Sequence, residues 1–135
     1  MERNPEELVH EFFSRVWSPP NDLEAIDELM TEDYEITTAG NLIKGRAKFK
    51  EWVGEFHKVL LDAKNEHLDV FSNEEKAKVV SRWVCSGRNN GIMGTEPDQR
   101  QISFTGIALW HVREGRLSAC WVERSALELY KKKKK

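Results

Sequence analysis

Three runs rich in β-branched and aromatic residues, at 79–88, 101–113 and 116–124, follow one another with no helical period between them. Glu114-Gly115, a tight-turn signal, separates the last two. A loop carrying Gly91, Gly94, Pro97 and Asp98 separates the first two. This predicts a three-stranded antiparallel meander holding three of the five tryptophans, Trp83, Trp110 and Trp121. The chain before it has mostly helical patterning, so helices are expected to cover one face of this sheet.

Those helices have readable ends. Asn4-Pro5 followed by Glu6 and Glu7 suits a helix start, with Leu8, Phe12, Phe13, Val16 and Trp17 on one face and Pro19-Pro20 as the stop. Asn21 or Asp22 would cap a second, shorter helix with Leu23, Ile26, Leu29 and Met30 inward. Tyr34, Ile36 and Thr38 alternate over a short strand, and Leu42-Ile43 can pair back on it across Ala39-Gly40-Asn41. A third helix is expected over about 46–61, with Phe49, Trp52, Val53, Phe56, Val59 and Leu60 as its buried stripe. A strand through Leu68 and Val70 leads to the meander, and a short helix from Ala126 to Tyr130 ends it. The expected architecture is α+β: a conical, curved, mainly antiparallel sheet with about three helices packed on its inner face. It forms one domain over 1–130, and a disordered lysine tail is expected over 131–135.

Composition excludes several classes. A net charge of −2 with both signs mixed does not describe a nucleic-acid protein. No apolar run approaches the ~18 residues of a membrane span, and no membrane partner is expected. The start, MERNPEEL, has no apolar signal-peptide core, and two cysteines without a framework suit a reducing compartment; the cytoplasm is expected. Glu7 and His10 have a spacing used on carboxylate-bridged metal helices, but no second copy accompanies them. His57, His67 and His111 lack ligand spacing, and neither a metal nor a cofactor is expected.

The element order and three local patterns resemble the SnoaL-like polyketide cyclases, on the nuclear transport factor 2-like fold, a cystatin-like roll. LIKGRAKFKEWVGEF is similar to the opening of that family's third helix, and SGRNNGIMGTEPDQRQISFTG to its central loop. WHVREGRLSACWVERSALELY is similar to its closing hairpin. The resemblance implies a hydrophobic small-molecule pocket, a homodimer through the outer sheet face and, in cyclase members, a pair of acid/base residues. Here Asn89 stands at the family's His position and Ser125 at its Asp position, and neither titrates usefully near neutral pH.

Strand alternation turns this into an inventory. If Asn89 faces the cavity, Ser81, Trp83, Cys85 and Gly87 share its face. If Ser125 does, Ala119, Trp121 and Glu123 join it. Gly106, Ala108, Trp110 and Val112 are the expected inward set between them, and Trp17, Tyr34, Trp52 and Phe56 would complete the lining. These aromatics either wall a pocket for a flat apolar ligand or simply fill the core. On this parity Glu123 is a carboxylate among tryptophans, the one acid/base candidate; otherwise it bends to solvent or pairs with Arg82, Arg88 or Arg124. Cys85 and Cys120 fall on opposite faces, which disfavours a disulfide. Arg82, Val84, Ser86, Ile107, Leu109 and His111 would form the exposed outer face, the expected dimer surface. Two functions remain open: acid/base chemistry on a carbonyl-bearing apolar compound (a cyclase, isomerase or hydrolase), or a non-catalytic ligand-binding or dimeric interaction module.

Overall fold

The computed structural model describes residues 4–134. Helix α1 (Pro5–Arg15) starts as its sequence dictates: the Asn4 side chain accepts a hydrogen bond from the Glu7 amide at 2.9 Å, with Pro5 in the first turn. Leu8, Val9, Phe12 and Phe13 are its buried stripe, and Val16 and Trp17 continue into the core beyond its end. Helix α2 (Ala25–Leu29) is short and begins after a turn in which Asp22 accepts from the Glu24 amide. Met30, expected on that helix, opens strand β1 (Met30–Thr38). Tyr34, Ile36 and Thr38 alternate inward on β1 as expected, and β2 (Asn41–Lys44) pairs back on it.

Helix α3 (Arg46–Val59) ends two residues before its expected limit. Its carbonyls at Lys58 and Val59 accept from the side chain and backbone amide of Asn90, and Leu60 already pairs with Asn89. Strand β3 (Leu60–Ser72) is thus much longer than the stretch around Leu68 and Val70 suggests. Register shifts after Leu61 and after His67 break its two-residue period, which hides its first half from a pattern search. Strands β4 (Lys78–Asn89), β5 (Gln101–Arg113) and β6 (Arg116–Arg124) form the predicted meander. Helix α4 (Ala126–Lys134) closes the chain. The expected tail does not hold at 131–134, which continue this helix; residue 135 lies outside the described residues.

One six-stranded curved sheet results, in the order β2-β1-β6-β5-β4-β3. Every neighbouring pair is antiparallel except β1 and β6, which run parallel with Ile36 opposite Cys120. The first three helices lie on the concave face, which carries the hydrophobic core. Among the described residues, no helix is long and apolar enough to cross a membrane.

Candidate functional site

The helices and the concave sheet face enclose a cone. Phe12, Phe13, Trp17, Phe49 and Phe56 line it from the helical side. The sheet supplies Tyr34 and Ile36 from β1, Asn65 from β3, and Trp83 and Cys85 from β4. Phe104, Ala108 and Trp110 follow from β5, and Cys120, Val122 and Arg124 from β6. Its enclosed volume is about 30 Å3, room for about two water molecules. The rings fill the rest: Phe13 meets Trp83 edge-on at 6.2 Å and Trp110 at 5.8 Å, and Phe12 meets Trp110 at 6.5 Å. A second, apolar hollow of about 70 Å3 lies between the Ile92–Met93 turn and α4, and it shares Phe56, Phe104 and Arg124 with the cone.

The β4 and β5 faces follow the sequence inventory. Ser81, Trp83, Cys85, Gly87 and Asn89 are all buried, as are Gly106, Ala108 and Trp110. Gly106 has a specific reason to be glycine. A Cβ there would stand 2.3 Å from Cζ2 of Trp83, so the indole lies flat across β5 only because no side chain occupies that position.

Strand β6 is inverted relative to the inventory. Leu117, Cys120 and Val122 face inward, while Trp121 is 43% exposed and Glu123 is exposed. Trp121 instead packs on His111 across the outer face, ring centres 4.8 Å apart. The inventory counted back from Ser125, but β6 ends at Arg124 and its alternation does not reach Ser125. A register shift between His111 and Val112 further separates the two ends of the hairpin. Glu123 is therefore not a cavity acid or base, and Trp121 is not a lining residue. Cys85 and Cys120, expected on opposite faces, both line the cone as free thiols, each pushed up to about 12 by burial.

Asn89 is fully buried but faces its own loop. Its Nδ2 donates to Thr95, the Glu96 carbonyl and Asp98, and its Oδ1 accepts from the Gly91 and Ile92 amides at 3.0 and 2.9 Å. It holds the 90–100 loop together and has no capacity left for a ligand. Ser125 is equally committed: its Oγ accepts from the Thr105 amide at 2.9 Å and its backbone N–H donates to the Thr105 carbonyl, extending the β5–β6 ladder to the start of α4. Neither position that the resemblance marks as a ligand group faces the cone.

Arg124 takes the place that sequence reasoning gave to Glu123. Its guanidinium lies 5.3 Å from the Trp52 ring centre and 5.9 Å from that of Trp83, and one N–H donates to the Thr38 hydroxyl. Burial lowers its pKa from the ordinary guanidinium value, yet a guanidinium remains cationic at neutral pH. Trp52 thus serves the site by holding Arg124 rather than by lining the cone. The signal for Arg124 was in the sequence, two residues beyond Val122 on the Cys120–Val122 parity.

The remaining polar groups in the cone are mostly donors. The Trp83 indole N–H and Asn65 Oδ1 are buried without a hydrogen-bond partner, while the Tyr34 hydroxyl is buried close to the Trp110 indole N–H and the Cys120 thiol. Burial, reinforced by Cys120 and opposed by a hydrogen bond from Trp110 and by the Arg124 charge, pushes the Tyr34 hydroxyl well above its usual range, so it stays protonated. His67 lies outside the cone lining, stacked on Phe13 at 4.0 Å, with Nδ1 2.8 Å from Ser81 Oγ. Among the described residues, no group of three or more His, Cys, Asp or Glu side chains is placed to hold a metal ion.

The SnoaL-like domain family matches residues 9–120. No curated protein matches the sequence. A candidate polyketide cyclase from Acidithiobacillus ferrooxidans superposes with a TM-score of 0.85 over 98% of this chain and 95% of that one, at 22% identity. IdmH of Streptomyces antibioticus, also a candidate polyketide cyclase, gives 0.82 over 96% and 97%, at 18% identity. AclR of Streptomyces galilaeus, a candidate hydroxylase, gives 0.76 over 89% and 77%, at 18% identity. Structures this distant share the fold, and different activities occur on it. The match over residues 9–120, on this curved sheet and helical cover, places the chain in the SnoaL-like family of the nuclear transport factor 2-like fold.

Proposed function

We propose that this protein binds a hydrophobic, carbonyl-bearing small molecule in its aromatic cone without acting on it by acid/base catalysis. One observation carries the reading: Tyr34, Trp83 and Trp110 place buried N–H or O–H donors in the lining of one aromatic-walled space, and that of Trp83 has no protein partner. Buried donors of this kind are normally satisfied, and a carbonyl oxygen satisfies them. The acid/base alternative lacks its machinery. The Tyr34 hydroxyl and both thiols are held protonated by burial, and Arg124, the one cation among the described residues that line the cone, cannot accept a proton.

Ligand pockets for drug-sized compounds measure roughly 300–1,000 Å3, so such a ligand requires the cone to open. Phe56, Phe104 and Arg124 line both the cone and the hollow beneath α4, so displacement of these side chains is the shortest way to enlarge the cone. Native mass spectrometry of gently purified protein tests the reading: a stoichiometric, denaturation-released compound supports it. Turnover of that compound by the wild-type protein would replace binding with catalysis.

The outer sheet face is proposed as a homodimer surface. Ile107 is 52% exposed, Trp121 43% and Phe71 58%, with Val80, Val84 and Leu109 half-buried among them.

A further inference from the structure

Five arginines of this protein are paired with carboxylates. Arg15, Arg46, Arg82, Arg88 and Arg113 each stand within ion-pair distance of an Asp or Glu. Arg100 and Arg116 are exposed, whereas half-buried Arg124 lines the cone: its hydrogen bond is to the neutral Thr38 hydroxyl, and its flanks are the Trp52 and Trp83 rings. Among the described residues, no carboxylate forms an ion pair with it; the adjacent Glu123 is exposed and its attraction for the guanidinium is the smallest of those that act on it. A guanidinium has five N–H donors, and the charge of half-buried Arg124 has no carboxylate in ion-pair contact among the described residues. The cone's other polar groups do not offset it. The Trp83 indole N–H is a further unpartnered donor and the Tyr34 hydroxyl and Trp110 N–H are buried in the same lining, while the Cys85 and Cys120 thiols remain neutral. Against these stands a single unpartnered acceptor, Asn65 Oδ1.

A neutral apolar ligand would leave the cation unmatched. We infer that the cone selects an anion: a flat apolar compound bearing a carboxylate, phenolate or enolate oxygen, that oxygen held by Arg124 and its rings lying among Trp83, Trp110 and Phe56. This rests on the binding role proposed above and adds to it the charge of the ligand. The two indoles flanking the guanidinium limit its rotation, so it is held in place before the anion arrives, which lowers the ordering cost of binding. Arg124 also lines the hollow beneath α4, so its guanidinium borders both spaces.

The test compares 2-naphthoate with 2-acetylnaphthalene, equal in ring system and differing in charge, by isothermal titration at pH 7. The wild-type protein should bind the carboxylate at least about tenfold more tightly than the ketone. Arg124→Met should bring the two within about threefold of each other, and Arg124→Lys should retain part of the preference. Circular dichroism and the melting temperature report whether each variant is folded; if Arg124→Met is not, the wild-type pair and Arg124→Lys decide. Equal wild-type affinities for both compounds would overturn the anion inference while leaving the binding proposal standing. Failure of the wild-type protein to bind either compound would remove both.

Discussion

The Trp83 indole crosses the Cα of Gly106 on the neighbouring strand so closely that a single added methyl would stand 2.3 Å from its ring. Gly106→Ala should therefore displace Trp83 or bend β5. A loss of about 1–3 kcal/mol, typical of overpacking, is expected in urea unfolding. The same variant should also alter the tryptophan fluorescence of the folded state.

Glu123 and Arg124 should behave oppositely. Glu123→Gln, on the exposed outer face, should leave stability within about 0.5 kcal/mol and ligand affinity unchanged. An affinity change of tenfold or more in that variant would restore Glu123 to the site. Any loss of ligand should appear instead on substituting Arg124, Trp83 or Trp110.

Asn89→Ala removes the hub of the 90–100 loop, orphaning the Gly91 and Ile92 amides it accepts from. A destabilisation of about 2–3 kcal/mol is expected from the buried groups left unpaired. Hydrogen exchange should rise most at Gly91 and Ile92. If Asn89 were instead a ligand group, affinity would fall while exchange in the loop stayed as in the wild type.

His67 should make the fold acid-sensitive. Burial, and secondarily the His10 ring 4.5 Å away, lowers its pKa from 6.5 to about 4. The unfolded chain therefore holds more protons than the folded one between these values. The stability that neutral His67 contributes is complete above about pH 6.5 and is lost progressively as pH falls toward 4. His57, lowered by its own burial, acts in the same direction. Urea midpoints measured from pH 7.5 to 4.5 should fall, and His67→Gln should flatten that slope.

The fold was legible because its strongest signals are local. Asn4-Pro5, the Tyr34-Ile36-Thr38 alternation and the Glu114-Gly115 turn each specify one conformation within a few residues. The first half of β3 was hidden because its bulges erase the alternation and its pairing with β4 is a tertiary effect. The site was legible on β4 and β5 but not on β6. There, Val122 flanked by Trp121 and Glu123 already favours the opposite parity: a charged residue outward and a β-branched one inward. Anchoring the count at Ser125, beyond the strand's end, outweighed that signal. Arg124 then went unseen as a cavity residue, because an arginine at a strand end ordinarily reads as solvated.

The outer face supplies a separate test. Light scattering at tens of micromolar should give a dimer, and Ile107→Lys should yield a folded monomer by placing a charge at its centre. A wild-type monomer would remove the proposed interface without touching the cone.

The central claim, that the cone receives a ligand oxygen at its buried donors, is tested most directly by the indole N–H resonances. Titrating 15N-labelled protein with 2-naphthoate should move the Trp83 and Trp110 Nε1–H signals while leaving that of Trp121, on the outer face, in place. Saturable shifts confined to Trp121, or no shift at Trp83 and Trp110 at ligand saturation, would contradict it.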